Sequence, residues 1–88
     1  MNSYDIAIAI QRAGATGLIS SRRVEAHHHE HGTLGSFRLE GIRWRWKRPE
    51  HEPVAVTSHR MAVLMVEEAL AEAEQVAEKP THMGFQSW

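Results

Sequence analysis

The chain has 88 residues, 42% of them hydrophobic, with three Trp and no Cys; this fits one domain with a real core and excludes a disulfide framework and thiolate chemistry. No apolar run approaches the ~20 residues that cross a bilayer and the N-terminus lacks a basic-then-apolar signal layout, so the expectation is a cytoplasmic protein with no membrane partner. The net charge of −1 hides a dipolar chain: residues 1–48 hold eight Lys or Arg against four acids, and residues 49–88 hold two against seven, which is not the uniformly basic balance of a typical nucleic-acid binder.

Residues 3–13 predict a short helix, capped by Asn2 or Ser3 and ended by Gly14, with Ile6, Ala9, Ile10 and Ala13 on one stripe. The alternation of Ile6, Ile8 and Ile10 is also compatible with a strand. Residues 14–17 read as a turn. Residues 18–28 predict a first strand with Leu18, Val24 and Ala26 inward and Ile19, Arg23, Glu25 and His27 outward, followed by a hairpin loop over residues 29–35.

The stretch 37–47, Phe-Arg-Leu-Glu-Gly-Ile-Arg-Trp-Arg-Trp-Lys, predicts one long central strand. Side chains on a strand alternate between its faces. Phe37 and Leu39 are odd-numbered and Ile42, Trp44 and Trp46 even, so the parity changes near Gly41. A β-bulge at Glu40-Gly41 restores agreement, with all five apolar residues inward and Arg38, Arg43, Arg45 and Lys47 outward. Pro49 and Pro53 bound the next connection, and Val54–Val56 predict a short third strand. The second strand then lies in the middle of the sheet. Thr57 or Ser58 caps a helix over residues 59–78, with Leu64, Met65 and Leu70 among its core residues and Lys79-Pro80 as its end. The acids Glu67, Glu68, Glu72, Glu74 and Glu78 lie partly off the apolar stripe. The tail 81–88 carries Met83, Phe85 and Trp88, which fold back on the core or form a peptide for self-association.

The predicted fold class is α+β: a three-stranded antiparallel β-meander with a long C-terminal helix packed on one face and a short N-terminal helix. Three constellations bear on function. The row Arg22, Arg23, Arg38, Arg43, Arg45 and Lys47 is a basic binding face, and Glu68 and Glu72 mark an acidic helix face. His27, His29 and His31 would share one side of an extended strand and supply three imidazoles to a metal ion. Glu30 with His31, and Glu50, His51 and Glu52, offer acid–base groups, but no nucleophile or oxyanion site accompanies them, and no cofactor motif is present.

Ser58-His59-Arg60-Met61-Ala62 resembles the Ser-Lys-Lys-x-Ala start of the last helix of double-stranded RNA-binding domains, whose helix, three strands and helix match the predicted element order. His59 and Val63 stand where that family has Lys, so the chain is not assigned to it. The leading expectation is a small, cofactor-free, non-catalytic accessory or inhibitor protein of the bacterial or phage kind, docking on a protein partner or on a second copy as a homodimer. The alternatives are a nucleic-acid-binding module using the Arg-rich face and a metal-binding protein using the His cluster.

Overall fold

The computed structural model of the protein describes the backbone of residues 1–86, with side chains through Val76. The elements are α1 (Ser3–Arg12), β1 (Thr16–Ser20), β2 (Arg23–His28), β3 (Gly32–Glu40), β4 (Arg43–Lys47), β5 (Val54–Val56) and α2 (His59–Gln86). The strands form one antiparallel sheet in the order β1-β2-β3-β4-β5. Both helices pack on one face: α1 against β1 and β2, α2 against β3, β5 and α1. The α+β class and the meander stand, but the strand count is five rather than three.

Two tight turns account for the difference. The first strand divides at Ser21–Arg22 into β1 and β2, which are joined through the pair Ser20↔Arg23. The long central strand divides at Gly41–Ile42 into β3 and β4, joined through Glu40↔Arg43. Gly41 takes φ +66 and the second turn residue does not take a positive φ, the pattern of a type II′ hairpin turn with Gly at its first position. The change of parity therefore comes from a reversal of the chain, not from a bulge at Glu40-Gly41. Ile42 sits in that turn at 94% exposure and is no core residue. The middle strand is β3.

A bulge does occur, further back. His27 pairs with Thr33 and Ala26 with Gly35, which leaves Leu34 as the extra residue. Leu34 and Gly35 are consequently both buried although adjacent. The loop predicted over 29–35 shrinks to the three residues between His28 and Gly32.

The inner face carries the row Ile19, Val24, Phe37, Trp46, Val54 and, one pair along, Leu39, Trp44, Val56. Phe37 and Trp46 pack as tilted rings with centroids 4.5 Å apart. Against these large side chains α2 sets small ones, burying Ala62, Val66 and Ala69, so bulk on the sheet meets a thin helix face. Val63, Met65, Leu70 and Ala73 pack at the margin. Leu64 is 54% exposed and lies off the core stripe, contrary to expectation. Leu18, also expected inward, pairs with Glu25 and faces out. Gly17 occupies the inner position instead, and an added Cβ there would lie 2.9 Å from the Ala7 Cα of α1.

The helix ends follow their caps. Asn2 Oδ1 accepts from the Asp5 N–H and Asp5 Oδ2 accepts from the Asn2 N–H, each at 2.9 Å, a reciprocal capping box. Asn2→Ala should cost about 0.5–2 kcal/mol, read as a melting temperature lower by several degrees in thermal denaturation. At α2, Ser58 Oγ accepts from the Met61 N–H at 3.1 Å. This helix does not stop at Lys79-Pro80 but runs to Gln86. The expected packing of Met83, Phe85 and Trp88 lies outside the described side chains.

Candidate docking face of the sheet

With both helices on one side, the other face of the sheet is open. Strand alternation and register fix what it presents. Arg23 stands opposite Arg38, and Arg38 opposite Arg45, so three guanidinium-bearing residues lie side by side across β2, β3 and β4, at roughly 4.8 Å per strand. The neighbouring row is Leu18, Glu25, Ser36 and Lys47, and beyond the arginines lies the pair Glu40↔Arg43. Arg23, Arg38, Arg43, Arg45 and Lys47 are all exposed, in the positions that the alternation predicts.

Two carboxylates on the same face offset part of this charge. Arg23 meets Glu25 at 3.5 Å and Arg45 Nε meets Glu40 at 3.1 Å. Glu25 also accepts from the Thr33 hydroxyl at 3.1 Å. Lys47 Nζ donates to the Arg48 carbonyl at 2.6 Å. Among the described residues, Arg38 and Arg43 have no carboxylate within 4.0 Å. The face thus holds five cations against two acids, and Arg38, Arg43 and Lys47 are the three without a carboxylate partner among the described residues.

Arg22 plays a different part. It takes φ +57 in the β1–β2 turn, its carbonyl accepts from the Leu39 N–H at 2.9 Å and its guanidinium donates to the Gly41 carbonyl at 3.4 Å. The first bond ties the β1–β2 turn to β3 and the second ties it to the Gly41 turn, at one end of the sheet.

The acidic helix face divides as well. Glu72 pairs with Arg48 at 2.9 Å, the Arg48 side chain being only 15% exposed, and this clamps α2 to the β4–β5 connection. Glu68 remains exposed and lines an open cleft of about 400 Å³ with Trp46, Arg48, His51, Glu52, Val54 and Met65. A second open cleft, of about 490 Å³, lies where Leu34, Pro49, Glu50 and Glu72 meet Ala69 and Val76. Arg48 lies one residue past the alternating run of β4 and outside the set of expected binding residues. The signal was available: Lys47 faces out, so the next residue faces in, and an inward cation requires a carboxylate.

The histidines are arranged otherwise than on one extended strand, because β2 ends at His28 and the chain turns. His28 stacks on His29 and His31, with centroids 4.5 and 4.9 Å apart, and His28 Nδ1 accepts from the Glu30 N–H at 3.1 Å. His27 stays on the strand, opposite Thr33. Its Nδ1 is buried and has no hydrogen-bond partner among the described residues. Among those residues no three His, Cys, Asp or Glu side chains converge as metal ligands, and no helix is long and apolar enough to cross a membrane.

Comparison with protein-family models, with curated proteins and with solved structures finds no match for this chain.

Proposed function

We propose that the protein is a non-catalytic binding domain that docks an acidic surface of a partner protein onto the open face of its sheet, covering that surface as an accessory or inhibitor protein does. The observation that carries this reading is the Arg23-Arg38-Arg45 row, with Arg43 beside it. Like charges directly opposite each other on neighbouring strands destabilise a sheet, so a bare row of this kind costs stability unless an anionic partner covers it. Guanidinium groups suit carboxylates, which they grip with two parallel hydrogen bonds.

A protein is favoured over a nucleic acid by the rest of the face. Glu25 and Glu40 sit among the arginines, a mixture of signs that complements a patterned protein surface better than a uniform phosphate backbone. The rings that would stack on bases, Phe37, Trp44 and Trp46, are buried on the opposite side.

The test is capture of partners from the source cell with wild-type protein beside an Arg43→Glu/Arg45→Glu double variant, with circular dichroism to verify that both are folded. Charge reversal should weaken the specific partner about tenfold or more, at ~1.4 kcal/mol per decade. Equal recovery by both forms removes the basic face from the mechanism. Titration with single- and double-stranded oligonucleotides at low salt provides the second arm. Tight binding that falls steeply with log salt would replace the protein partner with a nucleic acid.

A further inference from the structure

The sheet has two edges, and they differ. β5 is only three residues long and follows directly on Pro53, so it offers little for another strand to pair with. β1 is five residues, Thr16-Gly17-Leu18-Ile19-Ser20, with β2 on one side and, among the described residues, no strand on the other. It contains no Lys, Arg, Asp, Glu or Pro, the residues that normally keep an exposed edge from pairing. Leu18 and Ile19 are each nearly half exposed. The apolar surface continues onto α1, where Tyr4 is 73% and Ile8 44% exposed. Tyr4, Ala7, Ile8 and Gln11 border a cleft of about 340 Å³ closed by Thr16 and Gly17 of the same edge strand. None of the residues of this stripe carries a formal charge.

We propose that β1 pairs antiparallel with β1 of a second copy, about a two-fold axis at Leu18, joining two five-stranded sheets into one of ten strands. The occupant is a second copy because of what a two-fold axis demands. It sets residues at the axis against their own kind and repeats every other contact in reciprocal form, so any charge close to the axis meets its like. A stripe without charges satisfies that demand, whereas a charge-selected partner would find nothing on it to recognise. The register is self-consistent: Leu18 meets Leu18, each Gly17 meets the other copy's Ile19, and each Thr16 meets the other's Ser20. Gly17 and Ile19 lie on the helix-covered side of the strand, so Ile19 of each copy is carried toward the Tyr4–Ile8 cleft of the other. Both basic faces emerge on the same side of the joined sheet. The pairing does not depend on what those faces bind.

Sedimentation of the wild-type protein over a concentration series from micromolar to millimolar tests this, beside Leu18→Lys, Ile19→Lys and, at the other edge, Val54→Lys. The expected result is twice the monomer mass for the wild type and for Val54→Lys, and monomers for both β1 variants with unchanged circular dichroism. Amide hydrogen exchange of the unmodified chain gives a reading that no variant can confound: protection of β1 should rise with protein concentration while that of β5 does not. A wild type that stays monomeric at the highest concentration overturns the proposal. So does a dimer that survives both β1 substitutions, or an assembly that only Val54→Lys disperses.

Discussion

Trp44→Ala is expected to remove most of the stability of the domain. Trp44 is 3% exposed and pairs across the sheet with Leu39 and Val56, and its indole N–H donates to the Met1 carbonyl at 2.9 Å. Truncating a buried Trp to Ala costs about 3–5 kcal/mol, while whole domains hold roughly 5–15 kcal/mol and an 88-residue chain belongs near the lower end. The loss of the indole also removes the bond that holds the start of the chain against the sheet. Arg45→Ala, one residue on, should change stability by less than about 0.5 kcal/mol, because its exposed ion pair with Glu40 is solvated. Urea unfolding followed by far-ultraviolet circular dichroism separates the two. If Arg45→Ala melts the domain and Trp44→Ala does not, the assignment of the faces is inverted.

The second large effect concerns a position that looks harmless. An added Cβ at Gly35 would lie 2.6 Å from Trp46 Cη2 and 2.8 Å from the Lys47 carbonyl oxygen. The six-membered ring of Trp46 rests on the bare backbone of β3, so even a methyl group forces ring and strand apart. Gly35→Ala should cost about 1–3 kcal/mol from overpacking, and Gly35→Val more. A double-mutant cycle with Trp46→Phe isolates the cause: trimming the ring should cost measurably less in the Gly35→Ala background than in the wild type. The relief will be partial, because the carbonyl of Lys47 is main chain and does not withdraw. Strict additivity would show that the ring contact is not the source of the loss.

Much of the architecture was legible in the residues. A cap at Asn2 or Ser3, the helical spacing of α2 and the short strand before it follow from local chemistry. The basic face is the same for a bulge as for a turn, for a geometric reason. A bulge and a two-residue turn produce the same change of parity, so Arg38, Arg43, Arg45 and Lys47 share one face by either route. Only Ile42 distinguishes them: a bulge keeps it in the strand, and the turn exposes it. Strand length could have decided the matter, since eleven residues is long against a usual five or six and Gly-X is a recognised hairpin loop. The turn at Ser21–Arg22 gave no such sign. Arg22 takes a left-handed conformation uncommon for residues other than Gly, and the bonds that hold it there come from β3 and the Gly41 turn. Within the docking face, alternation located the cations. Arg23 and Glu25 share a face two residues apart on β2, which alternation gives, but the pairing of Arg45 with Glu40 depends on how β3 and β4 align, information that lies in the register. Glu72 pairs with Arg48 through the packing of α2 on the β4–β5 connection, which no local pattern gives.

The order of strands in the sheet is the order of strands in the chain, and two of its connections are turns of only two residues. No strand must cross the sheet before its partner is in place, so little chain entropy is lost in bringing any strand to its neighbour. Hairpins of this kind close within microseconds, and each completed one presents an edge on which the next can grow. Assembly of the sheet can therefore advance stepwise from neighbour to neighbour, and the docking of α2 on α1 is the sequence-distant step that remains.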